Sequence, residues 1–228
     1  GHQAKAARYP LEELEVLKSR GVAIMNVLDV GAHEAGWSGF MKSYALPDAE
    51  FFLLEGSESW EATLQNSGFK FRIALVGDEE KDVTFHKLCE TGPCSGGNSI
   101  FTEGSDWAES YYSVKKHMKT IDQVVKEEGL KSFDMIKLDI QGAELMALTG
   151  AKDTLANVKV VLLEMSTAPL YPEAPLIVEV ITFMEQHGFK LFSIPDVMKR
   201  HGMTLQCDGF FVRDTLSEVW DNPPWKSK

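Results

Sequence analysis

The sequence predicts an α/β fold built on a mostly parallel sheet, and three observations predict it. Short apolar runs alternate with amphipathic segments along most of the chain, the order expected of repeated strand–helix units. The runs are rich in β-branched and aromatic residues, and several lack polar alternation, as strands buried on both faces do. The 228 residues suit one domain, or one domain with an insertion, over residues 1–228.

The elements follow in order. A leading helix is expected at about 10–20, where Leu11, Leu14 and Leu17 recur at helical spacing ahead of Gly21. Strands are expected at 24–30, 50–54, 69–76, 133–138, 158–163, 189–194 and 209–213. Helices fill the gaps at 36–45, 58–67, 120–128, 142–149 and 175–187. Thr120 with Gln123 forms a candidate capping box, and Gly129 and Gly188 are stop signals. The alternation breaks once, at about 77–119. That stretch carries an alternating segment at 82–88, the glycine-rich Thr91-Gly-Pro-Cys-Ser-Gly-Gly-Asn-Ser99 and an aromatic run with Trp107, Tyr111 and Tyr112. It reads as an insertion over one edge of the sheet, either a lid with stacking surface for an acceptor or a surface loop.

Charge narrows the function. With 23 basic and 34 acidic residues the net charge is -11, which repels phosphate backbones and anionic lipid, so neither nucleic acid nor a membrane is expected as a partner. A small molecule is the better ligand. Three cysteines, Cys89, Cys94 and Cys207, are too few and too odd in number for a disulfide framework, which predicts a reducing, cytoplasmic setting. No apolar run approaches a membrane span, and the first residues lack the apolar centre of a secretory signal.

Chemistry concentrates at predicted strand ends. The first strand leads into Asp29-Val30-Gly31-Ala32-His33-Glu34-Ala35-Gly36. A glycine directly after a buried strand permits a tight turn, and the helix that follows offers free N–H groups. A dinucleotide fingerprint would need glycine at 33, where this chain has His33, so a nicotinamide-dependent oxidoreductase is the weaker alternative. Asp29 beside the glycine suits a ligand with an ammonium and a sulfonium better than a pyrophosphate. The second strand ends at Glu55-Gly56, a carboxylate placed to accept both hydroxyl protons of a ribose. Together they describe a site for an adenosine-bearing ligand, against a turn-capping Asp29 and a solvated Glu55.

Further on stands Lys137-Leu-Asp139-Ile-Gln141-Gly142-Ala-Glu144-Leu-Met-Ala-Leu-Thr-Gly150-Ala151. This stretch resembles the K-x-D-x-E-G-x-E-x-x-x-L-x-G-A signature of the FkbM family of S-adenosylmethionine-dependent methyltransferases. Asp29-Val-Gly-Ala32 resembles the family's first motif, and Asn98-Ser99-Ile100, Lys119-Thr120-Ile121-Asp122 and Val161-Leu-Leu-Glu164 add to the likeness, which runs from about 27 to 213. The resemblance implies a class I methyltransferase, Rossmann-like fold: a mostly parallel seven-stranded sheet with an antiparallel last strand and helices on both faces. It implies methyl transfer from S-adenosylmethionine to a hydroxyl of a secondary metabolite or sugar, with S-adenosylhomocysteine as product. By the same analogy Ala74 and Leu75 lie beside the adenine. The chain departs from the pattern at His33, where the family usually has Asn, at Ala35, where it usually has Gly, and at Gln141, where it usually has Glu.

Methyl transfer from a sulfonium requires alignment and removal of the acceptor proton. Asp139, at the carboxyl end of a central strand, is the first candidate base; a helix-start carboxylate is its alternative. Lys137, two residues earlier, shares its face and can pair with it or orient the acceptor. Glu164 on the adjacent strand is the second carboxylate. Gly31, Ala32, His33, Gly36, Glu55, Gly56, Ala74, Leu75, Asp29 and Asp139 are the expected donor-binding residues, with His33 more a hydrogen-bonding residue of the loop than a base. Glu144 reads as an ordinary first-turn acid. No metal is assigned: His86, Cys89 and Cys94 lack a tetrahedral zinc spacing, and a divalent ion on Asp139 and Glu164 is not required. Trp220 and Trp225, near Pro223 and Pro224, pack on the domain or on a second subunit, which leaves a homodimer open. A non-catalytic binding module on the same fold is the third reading.

Overall fold

A computed structural model describes residues 9–88, 98–101 and 112–221. In chain order these are α1 (Leu11–Ser19), β1 (Asn26–Val30), α2 (Gly36–Tyr44), β2 (Glu50–Glu55), a 3-10 turn (Glu58–Trp60) running into α3 (Glu61–Asn66), β3 (Lys70–Ile73) and β4 (Leu75–Val76). There follow β5 (Lys81–Lys87), β6 (Tyr112–Lys119), α4 (Ile121–Glu127), β7 (Met135–Leu138), α5 (Glu144–Thr149), α6 (Lys152–Leu155), β8 (Val160–Ser166), α7 (Ile177–Gln186), β9 (Phe189–Arg200), β10 (Met203–Arg213) and α8 (Ser217–Trp220).

Seven strands form one sheet in the order β3-β2-β1-β7-β8-β10-β9. The pairs from β3 to β8 are parallel, and β10 runs antiparallel to both β8 and β9. The expected α/β sheet with an antiparallel last strand is therefore present. That strand does not close the edge; it is inserted between β8 and β9.

Alternation along the strands explains why both faces are covered. Leu28, Val30, Leu54, Ile136, Leu138 and Val161 pack into one core with α4, α5 and α7. Val27, Leu53, Met135, Val160 and Leu162, the intervening positions, pack into a second core with α1, α2 and α3. Asp29 and Lys137 share the parity of that second set, so the sheet points both at the α2 side.

The helix signals operate as read. Thr120 Oγ1 accepts from the Gln123 N–H at 3.1 Å, and Gln123 Oε1 accepts from the Thr120 N–H at 2.8 Å, which completes the capping box. Among the described residues no helix is long and apolar enough to cross a membrane.

Four differences from the sequence reading have physical causes. The run 69–76 breaks at Ala74, whose N–H donates to the Glu55 carbonyl, so β3 stays in the main sheet and β4 joins a second sheet of order β4-β6-β5. In that sheet β6 was not anticipated; its residues are mostly exposed, with only Met118 fully buried, so no apolar pattern marks it. Strands β9 and β10 extend well past 194 and begin well before 209, closing through His201 and Gly202 at φ 50 and 82, a two-residue hairpin turn. There is little core beneath that extension, so burial imposes little alternation on it. The short α6 and α8 were also unanticipated, at four residues each too short for a periodic signal. Trp220 packs on the domain, with its ring edge-on to Phe192 and its indole N–H donating to the Arg213 carbonyl. Trp225, Cys89, Cys94, Trp107 and Tyr111 lie outside the described residues.

Candidate active site

The carboxyl ends of β1, β2, β7 and β8 open on one crevice of about 390 Å³, the place where an open α/β sheet holds its ligand and a size in the range of small-molecule sites.

At the end of β1 the chain turns through Gly31 at φ 81. A Cβ there would stand 2.1 Å from the Asp139 carbonyl oxygen, so the turn after β7 fits against this one only when residue 31 is glycine. The N–H groups of Gly31 and Ala32 both donate to the Leu54 carbonyl, at 2.9 and 3.0 Å. His33 follows at φ 52, its N–H donating to Glu55 Oε2 at 2.8 Å and its ring lying 3.8 Å from that of Trp60. The backbone of His33 thus holds the Glu55 carboxylate, and its ring packs on Trp60.

Asp29 stands one layer behind. It is fully buried and does not line the crevice. The register pairs it with Lys137 on β7. Its Oδ2 accepts from Ser38 Oγ of α2 at 2.6 Å, and its Oδ1 lies 3.1 Å from Lys137 Nζ without a well-aligned hydrogen bond. Asp29, expected from the sequence among the donor-binding residues, lies behind the residues that line the crevice, held by Ser38 of α2 and by Lys137, which itself reaches the lining. Lys137 Nζ also donates to the Gly31 carbonyl at 3.2 Å and lies 4.0 Å from Asp139 Oδ2. Burial alone would lower the Lys137 pKa, but Asp29 and Asp139 outweigh it and raise it, so the ammonium is charged at neutral pH.

Glu55 ends β2 with both oxygens engaged, Oε2 by the His33 N–H and Oε1 by the Ser57 N–H at 2.8 Å. Burial raises its pKa and the two N–H groups oppose that rise without cancelling it. A carboxylate has about four acceptor sites, so two remain. Gly56, Ala74 and Leu75 line the same wall together with Trp60 and Phe85. Lys116, reaching from β6, hydrogen-bonds the Gly56 carbonyl and pairs with Glu58 at 2.6 Å, which ties the second sheet to this end of β2.

Beyond β7, Asp139 lies on the opening, its side chain about half exposed. Its Oδ1 accepts from Gln141 Nε2 at 2.9 Å. Glu144 sits beneath this turn, buried, its Oε1 accepting from the N–H groups of Ile140 at 2.9 Å and Gly142 at 3.3 Å. It is therefore more than a first-turn acid. Burial pushes its carboxyl up to about 7, against the pull of those N–H groups. A carboxyl raised in the fold stabilises below its ordinary value near 4.5 and loses that contribution as pH rises through about 7. Urea unfolding between pH 5 and pH 8 is expected to show a fall of about 3 kcal/mol from this residue, and Glu144→Gln is expected to flatten it. A variant with the wild-type pH slope would refute the assignment.

On β8, Glu164 lines the crevice two residues before the strand ends, with Oε2 accepting from Gln206 Nε2 of β10 at 2.6 Å. Asp208, its register partner on β10, lines it too. Sequence reasoning missed Asp208, Trp60, Phe85 and Ser38. Only the aromatic type of Trp60 and Phe85 offered a local signal; the others reach the site through register and helix docking. Among the described residues no group of three or more His, Cys, Asp or Glu side chains is arranged to hold a metal.

A family model for the methyltransferase FkbM domain matches residues 29–191, more than two thirds of the chain. The chain belongs to the FkbM methyltransferase family. The AMB antimetabolite synthetase AmbE of Pseudomonas aeruginosa is 28% identical over 116 residues, 49% of this chain and 6% of AmbE. The 2-O-methyltransferase NoeI of Sinorhizobium fredii is 32% identical over 65 residues, 28% of this chain and 27% of NoeI. The matched stretches thus span well under two thirds of either relative. Among solved structures, a candidate O-methyltransferase from Klebsiella pneumoniae superposes with a TM-score of 0.50 at 9% identity, over 94% of this chain and 84% of that one, a likeness of fold.

Family membership gives the three departures a common geometry. His33, Ala35 and Gln141 all have left-handed backbone, at φ 52, 64 and 54. Asn and Gly, which the resemblance to the family signature would place at the first two positions, are the residues that adopt this region most readily. Here His33, Ala35 and Gln141 adopt it at about 1–2 kcal/mol each, strain of the kind that gathers at ligand sites.

Proposed function

We propose that this FkbM-family protein is an S-adenosylmethionine-dependent methyltransferase that methylates a hydroxyl oxygen of a small molecule and releases S-adenosylhomocysteine. The observation that carries this reading is one crevice holding Glu55, Asp139, Glu164 and Asp208 around a glycine turn. The carboxylates suit a cationic donor, and Glu55 keeps two acceptor sites for a ribose diol.

When bound, S-adenosylmethionine supplies a methyl group on a sulfonium, whose carbon–sulfur electron pair departs with S-adenosylhomocysteine. The chain's own part is alignment and proton removal. Gly31, Ala32, His33 and Gly36 shape the donor loop, Gly56, Ala74 and Leu75 form the wall beside Glu55, and Lys137 with Asp29 fixes β1 against β7. Asp139 takes the acceptor's hydroxyl proton on Oδ2, the oxygen that Gln141 does not hold and that faces Lys137 Nζ at 4.0 Å. Glu164 receives the acceptor from the facing side. The net charge of -11 favours a small acceptor over nucleic acid, and the similarity to NoeI, a 2-O-methyltransferase, supports oxygen as the acceptor atom.

Calorimetric titration with S-adenosylhomocysteine tests the reading. Wild-type protein is expected to bind, and Glu55→Ala to bind at least about tenfold more weakly, the scale of a lost hydrogen bond to a charged group. Folded wild-type protein that does not bind would overturn it.

A further inference from the structure

We infer that Gln141 is the positioning residue for Asp139: its side-chain amide holds the carboxylate in one orientation, and buried Tyr171 holds the amide. The inference rests on the proposed function for its consequence, since Asp139 is the base of that reading.

Four observations converge. Asp139 is about half exposed and follows the last residue of β7, so no strand packing fixes its side chain. Its Oδ1 lies 2.9 Å from Gln141 Nε2. A carboxylate only accepts, so the amide nitrogen faces it and the amide oxygen faces away. That oxygen is where the pairing requires it, accepting from the Tyr171 hydroxyl at 3.0 Å, and Tyr171 is almost wholly buried. The Gln141 backbone is pinned as well: its carbonyl accepts from the buried Ser99 Oγ at 2.8 Å, and its φ is 54.

Each partner comes from a different part of the chain. Ser99 belongs to the insertion and Tyr171 to the segment between β8 and α7. A non-glycine residue in left-handed conformation persists where its surroundings over-determine it, and here three anchors do so. The outcome is a half-exposed carboxylate with Oδ1 held by Gln141 and Oδ2 facing the Lys137 ammonium at 4.0 Å, which is the preorganisation a general base needs.

Gln141→Glu separates positioning from space-filling. It preserves size and the acceptor for Tyr171 but removes the N–H donor. Three-bond couplings to the Asp139 side-chain carboxyl carbon report its χ1 rotamer in isotope-labelled protein, with Asp139→Asn assigning the signals. Wild type is expected to show a single rotamer, and Gln141→Glu and Gln141→Leu to show averaged couplings. Tyr171→Phe, which keeps the ring, is expected to show partial averaging and serves if a substitution at 141 disrupts folding. A single wild-type rotamer retained in Gln141→Glu, or in Tyr171→Phe where that variant stands in, overturns the inference. S-adenosylhomocysteine titration on the same wild-type sample is a separate readout: failure there removes the methyltransferase reading while the rotamer result still decides the positioning one.

Discussion

Lys137→Met is expected to destabilise the protein by about 3–5 kcal/mol, the range for removing one partner of a buried ion pair. Lys137 and Asp29 are register partners on adjacent central strands, and Asp29 is fully buried with Ser38 as its other neighbour. Methionine fills the same volume but leaves Asp29 with one hydroxyl donor and no counter-charge. The Gly31 carbonyl also loses its donor from Nζ. Asp29→Asn in the Lys137→Met background is expected to recover much of the loss, because the uncompensated charge is then gone. Urea midpoints for both single variants and the double variant close a cycle that isolates the pair. Wild-type stability in Lys137→Met would mean that the pair is not held as described. The pH sign follows from the raised Lys137 pKa. The lysine's contribution is complete below its ordinary value near 10.5 and declines only as pH rises through the folded value, so neutral-pH measurements see all of it.

Gly31→Ala is expected to cost a similar amount and to abolish donor binding as well. Two terms add. A φ of 81 disfavours any Cβ by about 1–2 kcal/mol. The added methyl would also meet the Asp139 carbonyl oxygen at 2.1 Å and Ile140 Cγ2 at 2.9 Å, and forcing such contacts apart costs typically another 1–3 kcal/mol. The atom it strikes is backbone, so relief requires the β1 and β7 turns to separate. Those turns carry His33 on one side and Asp139 on the other. S-adenosylhomocysteine titration should then show no heat of binding even under conditions where the variant remains folded. An alanine variant that binds as tightly as wild type would show that the close approach of the two turns is dispensable.

Much of this site was legible in the sequence because its chemistry sits at strand ends, and strand ends are local events. A buried apolar run followed by glycine, or by a lone carboxylate, marked 29–31, 55–56 and 137–139 without knowledge of which strands adjoin. Asp29 shows the limit. Its identity and its strand were readable, yet its contacts depend on the β1–β7 register and on α2 packing above, so a residue expected at the ligand lies behind the residues that line the crevice. Glu144 shows a second limit, since an acid in a first helical turn looks ordinary until the turn at 140–142 folds over it and removes the water.

By itself the sequence determined the α/β class, the order of the main strands and helices, the capping box at Thr120 and the glycine turn at Gly31. Each follows from residues close together in the chain, through periodicity, side-chain oxygen at a helix start, or the absence of Cβ. Tertiary structure alone decided the insertion of β10 between β8 and β9, the pairing of Asp29 with Lys137, the arrival of Asp208 beside Glu164, and the clasp of Gln141 between Ser99 and Tyr171. Those depend on register and on contacts between segments tens of residues apart, which are selected by burial of the whole core and leave no local mark at either partner.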